Sequence, residues 1–407
     1  MAKTYCIIGS GVAAVNAAKA IRDHDKEGKI LIFGSESSMP YNRIKLSKDL
    51  FSDLTSPKVL LKKEKWYVTQ QIELLNKAIV KIDTDDYVIT TADGDIFAYD
   101  KLLICTGAKN RKLPIEGVDK PGVFTIREMQ EAEAFKTFIS DKESVVNIGG
   151  GIQGLETAWS LHQAGKKVTI VEAAPRLMAR QLDEKTSQLL KNRIEELGIK
   201  VYLGTGIDQI IGEEKVEGAI AGETTIACDS VIYSIGVIPN LDLVKDTEME
   251  TNRGIIVNDK METSVPNVFA AGDVTELNGE VEGLWGRAMD QGKAAGNNMA
   301  STESIAYQKT IPLTVFNAFD LPLFSIGLVD EEQCDTSMVE EEGTERYTRL
   351  FIKDNKIVGV ISFEGVVASM PYKNAIENEV SIEGIDLNNR SIAELMTEVK
   401  ERQSVLA

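Results

Sequence analysis

The sequence predicts an α/β protein built on two nucleotide-binding units, and three observations predict it. A strand, a Gly-rich turn and a small-residue helix stand near the start as YCIIGSGVAAVNAAKAI, and the same order recurs as SVVNIGGGIQGLETAWSLHQAG. Each copy is followed by a strand ending in acid, KILIFGSES and then KVTIVEAA, with 27 residues from Gly9 to Glu36 and 23 from Gly149 to Glu172. That is near the spacing between a phosphate-binding turn and a ribose-binding acid. Each unit then closes with a strand running into a glycine, KLLICTGA and SVIYSIGV.

The physics of the two turns is shared. Gly9, Gly11 and Ala14, and later Gly149, Gly151 and Gly154, let the backbone turn tightly and approach a pyrophosphate. The helix that follows offers unpaired N–H groups and a partial positive charge to the phosphates. One such motif alone is weak evidence, but here each sits between a strand and a helix, and it occurs twice.

A third signature, TSVPNVFAAGDVTE, is a short strand ending in Gly272-Asp273, followed by the helical GLWGRAMDQGKAAGNNM with small residues on one face. From about Ile311 the pattern changes to short strands, TVFNAFDLPLFSIGL and YTRLFIKDNKIVGVISF, with Asp354-Asn355 as a hairpin turn. The final SIAELMTEVKERQ reads as a surface helix capped by Ser391, with Glu394 three residues on.

Composition bounds the rest. At 407 residues the chain holds two or three domains, and 43% apolar with 27% charged residues is an ordinary globular mixture. Apolar runs are strand-sized and no signal-peptide h-region precedes TYCIIGSG, so a cytoplasmic protein without a membrane span is expected. The net charge of −18 argues against nucleic acid as partner. Cys6, Cys105, Cys228 and Cys334 are scattered without metal-ligand spacing, and three of them read as small buried thiols. With only His24 and His162, each on an expected helix, neither zinc chemistry nor a Ser-His triad is expected, and no metal site is assigned.

The motifs GSGVAA, PYNRIKLSK, ICTGA, GGGIQGLE, SIGVIPN and AAGDV, in that order, resemble the FAD-dependent pyridine nucleotide–disulfide oxidoreductase superfamily over nearly the whole chain. VEAAPRLMARQLDE resembles its NADH:rubredoxin reductase and nitrite reductase flavin-domain branch. The resemblance implies two Rossmann-like three-layer domains, an FAD domain (1–112 and 243–314) with a NAD(H) domain (113–242) inserted in it. A C-terminal α/β domain (315–390) and a helix with tail (391–407) would follow. Carried over by position, Gly9, Gly11 and Ala14 would cradle the FAD pyrophosphate and Glu36 its adenosine ribose. Thr106 and Gly107 would line FAD, and Asp273 after Gly272 would accept from the ribityl chain. Trp285 would open the helix facing the flavin pyrimidine. Gly149, Gly151 and Gly154 would hold the NAD pyrophosphate, with Gly236 among the cofactor contacts and Glu156 near the nicotinamide amide. Glu172 would accept from both ribose hydroxyls and repel a 2′-phosphate, which favours NADH over NADPH; Arg176, four residues on, opposes part of that repulsion.

The segment MPYNRIKLSKDLF bears on function. Superfamily members that reduce disulfides or peroxide carry cysteine on this stretch or on the preceding helix, whereas this chain has none between Cys6 and Cys105. Electrons therefore have to leave reduced FAD directly. Arg43 and Lys48 match positions that approach FAD, with Lys48 the one near flavin N5; Lys48 and Glu156 are the catalytic candidates, and the other reading of these cations is a solvated surface. From Tyr41 to Tyr67 seven basic residues stand against three acids, while Asp330–Glu345 holds eight acids and no base. The basic stretch is either a docking face for an acidic carrier of rubredoxin or ferredoxin type or the solvated side of an amphipathic helix. The function implied is an FAD-dependent NADH oxidoreductase passing electrons to a one-electron iron protein or iron–sulfur subunit. The alternatives are a peroxide-forming NADH oxidase and a redox-state-dependent binding protein. Both a homodimer and membership of a larger complex are compatible with the residues.

Overall fold

A computed structural model describes residues 2–343 and 346–406. Its chain divides into two compact units, one of Met1–Arg111, Ile126–Ala134 and Gly236–Lys309, the other of Lys112–Thr125, Phe135–Ile235 and Thr310–Ala407. The α-helices among the described residues are α1 (Val12–His24), α2 (Lys45–Lys48), α3 (Glu64–Thr69), α4 (Met129–Ile139), α5 (Ile152–Gln163) and α6 (Glu184–Glu196), then α7 (Trp285–Ala300), α8 (Ser369–Glu377) and α9 (Ile392–Leu406).

In the first unit a parallel sheet runs in the order Val268–Ala270, Lys101–Ile104, Thr4–Ile8, Lys29–Gly34, Ile72–Asn76. The strands Tyr-Cys-Ile-Ile and Ile-Leu-Ile-Phe are nearly continuous apolar runs because helices and loops cover both faces of a parallel sheet. Tyr5, Cys6, Ile7, Ile30, Leu102 and Leu103 are almost wholly buried. The chain order changes direction between Thr4–Ile8 and Lys101–Ile104, and the crevice at their carboxyl ends is where such sheets take a ligand. One side of the sheet carries α1 and α7, which meet through small residues. A β-carbon on Gly292 would lie 2.2 Å from the Ala13 carbonyl oxygen, and one on Gly296 would lie 2.3 Å from that of Ala17. The two backbones are in contact, and only glycine allows it.

The second unit repeats the plan with Lys200–Leu203, Lys167–Glu172, Ser144–Ile148, Ser230–Tyr233 and Val123–Phe124, all parallel. It also contains a five-stranded antiparallel sheet, Leu313–Ala318, Leu321–Gly327, Lys356–Ser362, Arg346–Lys353 and Thr336–Glu342. Asp354 and Asn355, both at positive φ, turn its hairpin. A second turn of the same hand sits at Phe319–Asp320, φ 58° and 55°, with no sequence signal because a bulky aromatic seldom adopts that region. The antiparallel sheet is tied to the loop after Glu172. Arg349 bonds Asp183 at 2.6 Å, and Ser325 donates to the Gln181 carbonyl at 2.6 Å. Asp183 is also the cap of α6, accepting from the Thr186 N–H at 2.8 Å. At the C-terminal helix, Ser391 and Glu394 form the reciprocal capping box.

The basic stretch does not form one helix. It folds as α2 and α3, joined by a chain that pairs Tyr41 with Leu60. Asn42 donates to the Val59 carbonyl at 2.8 Å and Leu61 to that of Pro40 at 2.9 Å.

The glycine contact makes a prediction. Gly292→Ala forces its methyl against backbone, and overpacking of this kind costs about 1–3 kcal/mol; its urea midpoint is expected to fall. Gly286→Ala, where a β-carbon meets nothing within 4 Å, should not lower it. Equal midpoints for the two would show that the close approach carries no stability.

Candidate functional site

Each turn of the two units presents one crowded glycine and one open one. Gly9 has φ +106°, and a β-carbon there would be 2.2 Å from the Cys105 carbonyl oxygen; at Gly11 it would meet nothing within 4 Å. In the second unit Gly149 has φ +113° and would place a β-carbon 2.4 Å from the Ser234 oxygen, while Gly151 is again open. The first glycine is therefore demanded by the protein, and the second leaves space that a protein atom does not use. Gly154 would bring a β-carbon 2.1 Å from the Gly149 oxygen, so α5 also packs on its own turn, where the first unit has the fully buried Ala14. No side chain caps α1 or α5, and neither has an acid in its first turn. Unpaired N–H groups and an open backbone fit a pyrophosphate at both places.

Glu36, just beyond the strand Lys29–Gly34, is nearly buried and fully engaged. It forms an ion pair with Arg43 and accepts from the Tyr41 hydroxyl at 2.7 Å and the Met129 N–H at 3.2 Å. Burial opposes the Arg43 charge, yet the neighbouring Tyr41 and Glu36 hold its pKa above the ordinary value. Burial likewise raises the Tyr41 hydroxyl far above the phenol range, so it serves as a donor. Arg43 also donates to the Arg127 carbonyl at 2.7 Å. Arg127 in turn bonds Asp273 at 2.8 Å and the Ala108 carbonyl at 3.0 Å. A single polar chain, Glu36–Arg43–Arg127–Asp273, thus joins the expected ribose acid to the expected ribityl acid.

Asp273 follows Gly272 at φ +86°, whose N–H donates to the Gln291 side chain at 2.8 Å. Gln291 belongs to α7, and Trp285 begins that helix without a side-chain cap. Thr106 and Gly107 are fastened to Asn240 by three bonds: the Thr106 hydroxyl to the Asn240 carbonyl at 3.2 Å, the Asn240 side-chain NH₂ to the Thr106 carbonyl at 2.9 Å and the Asn240 N–H to the Gly107 carbonyl at 2.9 Å. Gly236, φ +97°, accepts from Arg111 N–H at 3.0 Å. Lys48 ends α2, exposed to solvent. In the second unit Glu172 accepts from the Gly150 N–H at 2.5 Å and from that of Ala174 at 2.6 Å. Arg176 donates to the Ala179 carbonyl at 3.2 Å, and Glu156 is buried in α5.

The sequence named Glu36, Arg43 and Asp273, which the fold joins in one polar network. It did not name Arg127, Asn240 and Gln291, which bond to these residues or to their neighbours Thr106, Gly107 and Gly272. Asn240 and Gln291 stand inside recognised motifs, so their local signal was present. Arg127, in TIREMQ, has none; only the folded chain brings it to Asp273.

The three buried thiols are chemically quiet. Burial raises Cys6 to about 12 and Cys228 to about 11, and raises Cys105 still further. At neutral pH none is a thiolate, the reactive form.

Residues 3–292 match the family model described as pyridine nucleotide-disulphide oxidoreductase, and 312–380 match the rubredoxin NAD+ reductase C-terminal domain. The nitrite reductase [NAD(P)H] of Bacillus subtilis is 33% identical over 365 residues, covering 89% of this chain and 45% of its own. The NADH-rubredoxin oxidoreductase of Clostridium acetobutylicum is 30% identical over 380 residues, covering 93% and 96%. A ferredoxin reductase structure from Rhodopseudomonas palustris superposes with TM-score 0.88 at 28% identity, covering 98% and 100%. The chain spans about half the length of the two Bacillus subtilis nitrite and nitrate reductase relatives it matches.

Arg127→Met removes a charge-assisted bond worth about 1.5–3 kcal/mol. FAD affinity, measured by flavin fluorescence on titration, is expected to weaken roughly 10- to 100-fold. An unchanged affinity would remove Arg127 from the site.

Proposed function

This chain belongs to the pyridine nucleotide-disulphide oxidoreductase family, and from that premise we propose that it takes electrons from NADH through FAD to a one-electron iron protein. The family uses FAD and NADH. FAD, when bound, accepts a hydride and releases its electrons one at a time, which makes it the converter between a pyridine nucleotide and an iron centre. In this reading the first unit, roughly 1–112 with 243–314, holds FAD; the inserted stretch 113–242 holds NAD(H), and the C-terminal part from 315 is a third domain.

The observation that carries the reading is an open glycine turn in each unit, together with a segment without sulfur in the first unit. Pyr-nucleotide chemistry needs both turns, while the stretch 39–51 offers Arg43 and Lys48 and no cysteine. No general base or protein nucleophile is required for hydride delivery followed by outer-sphere electron transfer, and the buried thiols match that economy. Gly11 and the uncapped α1 would hold the flavin nucleotide's phosphates, Arg127 and Asp273 its ribityl side. The uncapped start of α7 at Trp285 would favour negative charge on the flavin pyrimidine edge. Lys48, at the end of α2, would add a cation near flavin N5. Rubredoxin or a ferredoxin is the acceptor class that the names of the Clostridium acetobutylicum and Rhodopseudomonas palustris proteins support, and an iron–sulfur subunit is the same chemistry in a larger complex.

For the pyridine nucleotide, Glu172 is the selective group. Its two oxygens are oriented by the Gly150 and Ala174 N–H groups, which leaves lone pairs for ribose hydroxyls and negative charge against a 2′-phosphate.

Two measurements test the assignment. NADH-reduced protein, mixed in stopped flow with rubredoxin, with ferredoxin and with O₂, should be reoxidised faster by one of the iron proteins; oxygen winning in every case would make it a peroxide-forming oxidase. Glu172→Ala should shrink the ratio of kcat/KM for NADH over NADPH by about tenfold, and an unaltered ratio would show that another residue selects the nucleotide.

A further inference from the structure

We propose that the surface formed by Lys58, Lys62, Lys63 and Lys65 around α3 is where an acidic one-electron carrier docks. The proposal rests on the electron-transfer reading above and adds to it the face that does the recognising.

Charge alone along 41–67 does not define a surface, because folding neutralises part of it. Arg43 is committed to Glu36, and Lys45 pairs with Asp49 at 2.8 Å. Elsewhere in the first unit Lys19, Lys29, Lys77, Lys109 and Lys309 are each bridged to a carboxylate. Other exposed lysines of this unit without an ion pair among the described residues, such as Lys26, Lys245 and Lys293, are scattered, whereas Lys58, Lys62, Lys63 and Lys65 are clustered. All four are exposed, and among the described residues none has an ion pair. Against these four cations the stretch 57–68 contains a single acid, Glu64, in the first turn of α3. In a chain of net charge −18, a cluster of four uncompensated lysines within eight residues is a local reversal of field.

The patch also has an apolar centre. Val68 is 71% exposed on α3, and the ammonium of Lys62 lies 5.6 Å from the centroid of the half-buried Trp66 ring. Cations around a small apolar contact suit a transient partner: charge speeds encounter and orients it, while the small apolar area permits fast release. The pairing of Tyr41 with Leu60 fastens this surface to the segment bearing Arg43, and thus to the residues expected around FAD. The strand Thr336–Glu342 contrasts with this patch: Glu340, Glu341 and Glu342 are exposed there, the last two paired with Lys185 and Arg346, and among the described residues it offers an acidic carrier no cluster of free cations.

The experiment uses whole FAD-loaded protein, with oxidised rubredoxin as probe, over a range of ionic strength. In Lys62→Glu/Lys63→Glu, reoxidation of the NADH-reduced protein by rubredoxin at low salt should slow at least tenfold, and its salt dependence should flatten or change sign. Flavin reduction by NADH should stay within twofold of wild type. A control with the same charge change placed in the other unit, Lys215→Glu/Lys400→Glu, should leave the rubredoxin rate within twofold. If wild-type protein reoxidises rapidly with rubredoxin and the patch variant matches it at every salt concentration, the docking surface is refuted while the electron-transfer reading stands. If wild type reacts with rubredoxin no faster than with O₂, the electron-transfer reading fails and takes this proposal with it.

Discussion

The contact on which the first unit depends is the backbone-to-backbone approach of α1 and α7. Gly292 and Gly296 present no side chain to the carbonyls of Ala13 and Ala17, and Gly272 would bring a β-carbon 3.3 Å from that of Ala13. Three features of the site are fixed through this one seam. The start of α1 carries the open turn at Gly11, the start of α7 carries Trp285, and between them the Gly272 turn aims Asp273. Gln291 reinforces the seam from the α7 side, accepting from the Gly272 N–H and the Thr275 hydroxyl. Neither helix start has a side-chain cap, so both leave partial positive charge that favours an anionic group.

The two units solve the same problem with different chemistry. Both use a glycine at positive φ against the neighbouring strand and an open glycine one residue past the turn. Their acids diverge. Glu36 is neutralised by the Arg43 guanidinium and further bonded by the buried Tyr41 phenol, so little net negative charge is left there. Glu172 is held by two backbone N–H groups, which orient it while leaving its full charge. A site that merely binds an adenosine can tolerate the first arrangement. On the proposed reading, the second arrangement suits discrimination against an extra phosphate, since repulsion scales with the charge left unpaired.

Cys6, Cys105 and Cys228 are buried, and no cysteine stands between Cys6 and Cys105; charge is what that segment offers instead. The cations nearest the expected flavin site are split into those consumed by the fold and those left at the surface. Arg43 and Arg127 belong to the first group; the lysines of α3 and its approach belong to the second. The second unit has its own tie of this kind, in which Arg349 on the antiparallel sheet reaches Asp183 at the cap of α6. Both partners are nearly buried; removing Arg349 would strand the Asp183 carboxylate, whereas Arg349 keeps a second carboxylate in Glu331. The loop following Glu172 is thereby held from the C-terminal sheet.

The sequence by itself determined the two glycine turns, the strands and acids that follow them, the small-residue face of α7, the Asp354–Asn355 hairpin and the capping box of α9. These are set by local sterics and by spacings within a few tens of residues, so they are written where they act. Tertiary structure alone decided that Arg127 meets Asp273 across 146 residues of chain, that Phe319 turns left-handed, and that one basic stretch becomes two short helices with four clustered lysines that have no ion pair among the described residues. Ion pairs between distant segments depend on where the closed fold brings side chains, and a residue type at a position carries no record of the partner it will find.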